Sequence, residues 1–509
     1  MKAKKWIALV LAVLMVAAIF TACASGETPS GGNSSGGNGG ADDEGEIVEI
    51  EFWLAAFGTM SDVEPVDEAV NAITEKEIGV HVNFTRIAPA DFETQLTLAI
   101  TNREQIDVAG LRPNSFMNLY AAGCLRDVTE EVNQYGQEMK ALFGDLLNST
   151  TIDGKLYGFP CYRQLNSNYY IIMRTDVLED LGLTEQASNI KTWADYEVIL
   201  DAIKNSDWPM SAVGKSGIGG MTHQGALFCG TKPSDMYTFD ALGDNVYCII
   251  TDNNGNVGSL IESPQYLEQV KMYANWMAAG YIYPDGPYDT ETYQSAMGKG
   301  AYATTLATCE YGVEVNWKQA TSLDLTCPMI APGAITTASA QKFGTFVPAS
   351  SKEPAAAVKF LNLMHTNADL MNVLIFGVEG KHYLVNEQGV AHYPEGMGAA
   401  DVGYHSMDFT MGNQFLCRPW DGSDPDFREK ALVDFQNAPV SPYLGLTVDL
   451  KEYNTLVAGL SAVTAEYYTV VSSGYYTDEL YKEYVDKLHA TGMDEYLAIF
   501  QDAVNDFLA

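Results

Sequence analysis

The chain has 509 residues, with 29 Lys+Arg against 66 Asp+Glu and a formal charge of −37 at pH 7. That balance argues against nucleic acid as a partner, because phosphate contacts need clustered Lys and Arg. Acidic ligands are repelled at long range, so a neutral small molecule fits best, and the acidity also keeps an exported protein soluble.

The chain begins with Lys2, Lys4 and Lys5, an apolar run (6–20) and the small residues Thr21 and Ala22 before Cys23. Three cations ahead of an apolar segment that closes on small residues predict an export signal. IFTAC (19–23) resembles a bacterial lipobox, with Phe20 where that pattern usually has leucine. The resemblance implies a signal peptide over 1–22 and lipidation of Cys23. An uncleaved membrane anchor is the alternative, and both readings put everything after Ala24 outside the membrane. The stretch 24–46 is glycine- and serine-rich with almost no apolar side chains, so it cannot bury a core and reads as a tether reaching roughly 25 Å.

From Ile47 onward the chain is too long for one ordinary core, and two domains are expected. IVEIEFWL (47–54) alternates and then turns fully apolar, as a strand entering a buried sheet does. A helical spacing with Val66, Ala69, Val70 and Ile73 on one face follows, closed by Gly79. VHVNFTRI (80–87) is a second strand, Asp91 is placed to cap a helix over DFETQLTLAITNRE, and IDVAGL (106–111) is a third strand. This β-α-β-α-β order predicts a parallel sheet with helices on its faces, whose ligands bind beyond the carboxyl ends of the strands. Further along, 251–260 and 385–393 read as hairpins turning at Gly255 and Gly389. The helix 263–280 has a serine cap and a glycine stop, with Trp276 read as core. The stretch from Ser472 to the end reads as a helix pair around Gly492.

The succession EFWLAAFG, NAITEKEIGVHVNFTRI, DFETQLTLAITNREQIDVAGL, LYAAGCLRDVTEEV and DGKLYGFP resembles the extracellular solute-binding proteins of ABC importers, in their maltose-binding-protein-like, carbohydrate-uptake branch. The resemblance continues through 169–183, 191–204, 265–286, 297–312 and 344–364. The last part looks like a C-terminal module of unknown function found on clostridial lipoproteins of this type. It implies a two-lobed α/β fold, each lobe a mainly parallel sheet flanked by helices. The first lobe is expected over 47–160 and 300–346, and the second over 161–299 and 347–509. It also implies a hinge of crossing segments near 159–165, 293–300 and 346–351, a lipid-anchored location on the outer face of the cell membrane, and ABC permease subunits as partners. A monomer without cofactor or metal is expected.

Motifs for chemistry fail on inspection. VGKSGIGG (213–220) lacks the first glycine of a phosphate loop, since Pro209 stands there, and Ile218 occupies the second glycine position of a serine-hydrolase elbow. The seven histidines form no H-E-x-x-H. Asp252-x-Asn254-x-Asn256 starts like a calcium loop, yet Val257 takes the place of its glycine, which makes it a turn. The cysteines beyond Cys23 include no C-x-x-C pair and sit in apolar surroundings, so free thiols are expected. Capture without catalysis is therefore the expectation. A peptide or other non-sugar solute is the alternative cargo, and a secreted glycoside hydrolase, which needs only two carboxylates across a cleft, the alternative class.

A polyhydroxyl ligand needs aromatic faces for its C–H surfaces and planar polar groups for its hydroxyls. At strand ends and crossings such residues are Trp53 and Phe57 after the first strand, Arg112, Asn114 and Ser115 after the third, and Tyr162, Arg163 and Gln164 at the crossing. Thr308, Glu310 and Tyr311 follow the strand GAYATTLA, where the family resemblance implies an aromatic contact and Glu310 stands instead. Trp420 and Asp421 lie on a Pro-Trp-Asp-Gly loop expected in the second lobe, with Gln414 and Arg418 nearby.

Overall fold

Strand β1 (Val48–Ala55) buries Ile50, Phe52 and Leu54 on one face and turns Trp53 to the other, the two-residue period of a strand between two layers. The computed structural model describes residues 47–214, 225–286, 288–289 and 291–509. The export segment, Cys23, the tether and the glycine-rich stretch after Gly214 lie outside the described residues.

Helix α1 (Glu64–Ile78) starts with Pro65 in its first turn and ends on Gly79, whose φ of 66° lets its N–H return to the Glu75 carbonyl. Its Asn71 clamps β2 (Val80–Ile87), donating to the Val82 carbonyl at 3.1 Å and accepting the Val82 N–H at 2.7 Å. Helix α2 (Phe92–Thr101) follows; Asp91 sits at its N-cap but makes no side-chain capping bond. Strand β3 (Val108–Leu111) and helix α3 (Phe116–Ala121) complete the run. β1 pairs in parallel with β2 from Val48↔Val80 to Ala55↔Ile87, and with β3 at Phe52↔Val108.

The chain leaves this sheet after β4 (Phe159–Pro160) and enters a second one at β5 (Asn168–Arg174), every residue of which is buried. Helix α4 (Trp193–Lys204), strand β6 (Ser211–Val213) and helix α5 (Pro264–Ala279) follow. Ser263 caps α5 by accepting the Tyr266 N–H at 3.1 Å, and Gly280 ends it. Strands β7 (Tyr302–Cys309), β8 (Leu325–Thr326) and β9 (Met329–Ala331) return to the second sheet. After the short helix α6 (Thr337–Ala340), β10 (Gly344–Phe346) rejoins the first. The first sheet has the order β2-β1-β3-β10-β4; the second has β8-β5-β7-β6, with β9 also on β5. Both are mixed: β10 runs antiparallel to β3, and β7 antiparallel to β5. The fold is the expected two-lobed α/β arrangement, but the second sheet is mainly antiparallel, not mainly parallel as expected, because β7, β8 and β9 all pair antiparallel with β5.

The strand pairings redraw the expected division. The stretch 300–346 is expected in the first lobe, but β7 pairs with β5 from Thr304↔Met173 to Cys309↔Asn168, and β8 and β9 also pair with β5, which fixes 302–331 in the second; only its end, with β10, lies in the first. Conversely, helices α7 (Pro354–Thr366), α8 (Ala368–Phe376) and α9 (Phe427–Gln436) bury Phe360, Leu361, Leu374 and Phe435 in one core with Ile50 and Phe52. Segment 347–435 therefore builds the first lobe, not the second. The N-terminus of α7 is tied to β1 and β3 by Asp107, fully buried, whose carboxylate accepts the Ser351 hydroxyl at 2.7 Å and the Lys352 and Glu353 N–H groups at 2.9 and 3.1 Å.

Helices α10 (Asn454–Ser472), α11 (Asp478–Thr491) and α12 (Met493–Leu508) close the chain, with Gly492 at φ 115° between the last two. Tyr484, Tyr496 and Phe500 are fully buried with Cys248, Ile249 and Tyr266 of the second lobe. Hairpins form where expected, Ile249–Thr251 with Val257–Ser259 and Leu384–Val385 with Ala391–His392. Asp252 spends its carboxylate inside its turn, accepting the N–H groups of Asn254 and Asn256 at 2.8 and 3.0 Å. All seven cysteines from Cys124 to Cys417 are free thiols, and Trp276 is core, 1% exposed.

Candidate functional site

Segments that cross between the lobes are pinned together. Asn166 donates to Asp434 at 2.9 Å, Asn168 donates to the same carboxylate at 3.1 and 3.2 Å, and the Gly333 N–H reaches the Asn168 side-chain oxygen at 3.0 Å. The two lobes face each other across a cavity of about 610 Å³. One wall belongs to the first lobe, with Tyr393, His405, Ser406, Asp408, Gln414 and Trp420. The other comes from the end of β7 and the helix after it, with Thr308, Glu310 and Asn316. Gln164 on the crossing segment forms part of the lining.

The aromatic element is built around Trp420. Its ring lies 4.4 Å from His405, 4.7 Å from Tyr393 and 5.0 Å from Phe376, centroid to centroid, which holds the indole against the first core while leaving it half-buried at the cavity. The Tyr393 hydroxyl and His405 Nδ1 share a short hydrogen bond. Burial lowers the pKa of His405, with Asp408 opposing, and pushes the Tyr393 hydroxyl up to about 12.

The polar element is unusual in what it leaves open. Gln164 is 5% exposed and Ser406 2% exposed, and Gln164 Nε2 and Ser406 Oγ have no hydrogen-bond partner in the protein. Buried polar atoms are ordinarily satisfied, because each one left bare costs about 1–3 kcal/mol. Arg163, also 5% exposed, donates to the Gln164 carbonyl at 2.9 Å and to Glu310 at 3.0 Å. Glu310 also lines a second cavity of about 340 Å³, together with Asn114, Arg163, Asp240 and Lys342. Lys342 is open to that cavity, yet the protein around it lowers its pKa, Arg163 adding to the effect and Glu310 opposing it.

Of the residues singled out from sequence, Gln164, Thr308, Glu310 and Trp420 meet at the first cavity, and Asn114, Arg163 and Glu310 at the second. Trp420 does so from the first lobe, correcting its expected place in the second, because its loop is docked on α8 and the hairpin at Ala391. The others are placed differently. Trp53 lies inside β1, packed against the cluster of Ile87, Phe92 and Leu111. Phe57 and Arg112 stack on each other at 5.4 Å beside Phe343, and neither lines the two cavities. Ser115 Oγ closes its own turn, accepting the Arg112 N–H at 3.0 Å and donating to the Arg112 carbonyl at 2.7 Å. Tyr162 is 6% exposed, boxed by Phe143, Phe415 and Phe435. Tyr311 leans on Phe427 at 5.6 Å, and Asp421 is exposed with its N–H on the Ala391 carbonyl.

Sequence reasoning missed Tyr393, His405, Ser406 and Asp408. They follow no strand of either main sheet; Tyr404–Ser406 forms a two-stranded ribbon with Gly58–Met60, a pairing of segments far apart in sequence. Among the described residues there is no group of three or more His, Cys, Asp or Glu side chains able to hold a metal ion, and no helix long and apolar enough to cross a membrane.

Residues 68–374 match the family model described as bacterial extracellular solute-binding protein. A carbohydrate ABC transporter substrate-binding protein of Streptococcus pneumoniae serotype 4 is 22% identical over 86% of this chain and 87% of its own length. The crystal structure of the N-glycan transport solute-binding protein NgtS of Streptococcus pneumoniae superposes with a TM-score of 0.75 at 19% identity, covering 91% of this chain and 99% of NgtS. FusA of S. pneumoniae, solved in complex with kestose, gives 0.56 at 16% identity over 90% of this chain and 99% of its own. With the family model spanning more than half the chain and the two-lobed cleft in place, this protein belongs to the bacterial extracellular solute-binding proteins.

Proposed function

We propose that the protein captures a neutral oligosaccharide in the cleft between its lobes and delivers it to an ABC permease, while a lipid on Cys23 holds it at the outer face of the membrane. The observation that carries this reading is the pair of buried, unpartnered polar atoms, Gln164 Nε2 and Ser406 Oγ, on residues that line the same cavity as Trp420. An amide that donates, a hydroxyl that donates or accepts and an aromatic face are what a sugar ring presents partners for. The carbohydrate-uptake names of the relatives support the same cargo class. The carboxylates lining this cavity, Glu310 and Asp408, are each held by a guanidinium, Arg163 and Arg428 respectively, which favours capture over hydrolysis.

Ligand contacts from both lobes favour the closed arrangement by their differential affinity, and a permease reads that state. The test is a thermal-shift screen of the purified protein against oligosaccharides and peptides, followed by calorimetric titration of any hit. A rise in Tm with sugars, lost in Gln164→Ala, is the expected result. A rise with peptides alone overturns the sugar reading.

A further inference from the structure

We infer that the cleft continues past Arg163 into a second arm walled by the C-terminal segment 446–457, and that this arm holds the distal units of a long neutral oligosaccharide. The inference rests on the capture function proposed above and assigns a role to the C-terminal helices.

The cavities are connected through shared walls. Glu310 lines both the first cavity and the second. Asn114, Gly243, Asn245 and Ala338 line both the second and a third of about 500 Å³, whose far side is built from Leu446 to Lys451, Asn454 and Val457. Pockets for small ligands run from about 300 to 1,000 Å³. Each of the three fits in that range alone, and together they exceed it. A disaccharide does not need such a groove; a longer chain does. The polar groups of the third cavity are mostly amides and hydroxyls, including Asn118, Thr337, Gln341 and Thr447, which suits an uncharged polyol.

The loop between the second and third cavities is held rigidly in a costly conformation. Leu242 has φ 54° and the facing Asn114 φ 65°, a region that asparagine tolerates and leucine does not. Such strain persists only where the surroundings enforce it, and it concentrates at ligand-binding segments. Here the enforcement is visible. Asp240 accepts the Leu242 N–H at 2.8 Å and the Ser441 hydroxyl at 2.6 Å. Asp244 accepts the N–H groups of Val246, Cys248 and Ile249 at 2.7, 2.6 and 2.9 Å, and the Tyr496 hydroxyl of α12 at 2.8 Å. Thr337 of α6 accepts the Gly445 N–H at 2.8 Å. The C-terminal module thus fixes the loop that carries Gly243 and Asn245 and supplies the wall opposite α3, a preorganised subsite.

The test uses the full-length chain and two variants at exposed positions, Asn245→Ala and Asn454→Trp, the first removing an amide and the second narrowing the arm. Each is titrated calorimetrically against mannose-, fructose- and glucose-based oligosaccharides of two to six units, with unfolding curves confirming the fold. Wild-type affinity should keep rising beyond the trisaccharide for the sugar that binds. Both variants should lose about tenfold or more for the hexasaccharide and little for the disaccharide. Affinity that stops rising at the disaccharide, or a loss equal at every length, overturns the subsite alone. Failure of every sugar to bind overturns the capture reading and this one together.

Discussion

Arg163, carried on the segment that leaves the first lobe, meets Glu310 at the end of β7 in the second at 3.0 Å, directly between two cavities of the cleft. The guanidinium is 6% exposed and the carboxylate 41%. Breaking a fully buried pair costs about 3–5 kcal/mol and an exposed one about 0–1. Glu310→Ala should therefore fall between them, destabilising by about 1–2 kcal/mol in urea unfolding, since Arg163 then retains only the Gln164 carbonyl as a hydrogen-bond acceptor. Unchanged stability would show that the pair contributes only to ligand geometry.

The knot at the crossings should be intolerant of bulk. A Cβ at Gly333 would lie 2.0 Å from the Ser167 carbonyl oxygen, a backbone atom that cannot rotate away. Gly333→Ala should cost about 1–3 kcal/mol by overpacking and alter lobe separation in small-angle scattering. Asp434→Ala should destabilise comparably, because the Asn166 and Asn168 amides lose their shared acceptor. If Gly333→Ala leaves both stability and scattering unchanged, the crossing segments are not held together there.

How much of this was readable in advance depends on the range of the forces involved. The period of β1, the glycine stop of α1 and the capped α5 were legible because local sterics and one-sided burial set them. Gln164, Glu310 and Trp420 were legible as polar or aromatic residues after strands or on a turn. The membership of β7 was not. Most of its residues are buried, so its sequence carries no sign of which sheet it joins, and only pairing with β5 decides that. His405 and Ser406 were equally hidden, since their position depends on Gly58–Met60, more than three hundred residues away. Trp53 misled for a related reason: near the end of an apolar strand a tryptophan can face ligand or plug the sheet, and only its packing on Ile87, Phe92 and Leu111, distant in sequence, decides.

His365 makes a prediction about pH. It is 2% exposed, shares a 2.7 Å hydrogen bond with the Leu361 carbonyl and packs on Phe143, and burial lowers its pKa to about 4. The folded state thus holds it neutral, while the unfolded chain binds a proton near 6.5. Its contribution is complete above about 6.5 and is lost as pH falls towards about 4, on the order of 3 kcal/mol over that window. Urea unfolding at pH 7 and at pH 4.5 should show a steeper loss in wild type than in His365→Gln. Parallel losses would assign the acid sensitivity to carboxylates instead.

The proposed anchor is tested outside the folded body. Cys23→Ala should release the protein from membranes, because one tethering lipid is then absent and the described residues contain no helix suited to spanning. Retention of the variant after carbonate washing would mean that the apolar run 6–20 stays in place as an anchor.

The tryptophans separate binding from packing. Trp420 is half-buried at the cavity, so Trp420→Ala should weaken oligosaccharide binding by about 1–3 kcal/mol while costing less stability than loss of a core tryptophan. Trp276, fully enclosed and donating its Nε1–H to Glu197 at 2.7 Å, should cost about 3–5 kcal/mol of stability when truncated, with affinity unchanged in the fraction that folds. Trp53 tests the reading most sharply. Sequence placed it among the ligand contacts, whereas its indole packs against the cluster of Ile87, Phe92 and Leu111 behind the sheet. Trp53→Ala should therefore behave like Trp276→Ala in kind, lowering the urea midpoint and leaving the calorimetric affinity alone. If it instead weakens sugar binding at unchanged stability, ligand reaches the far face of β1, and the cleft walled by Trp420 is not the site that matters.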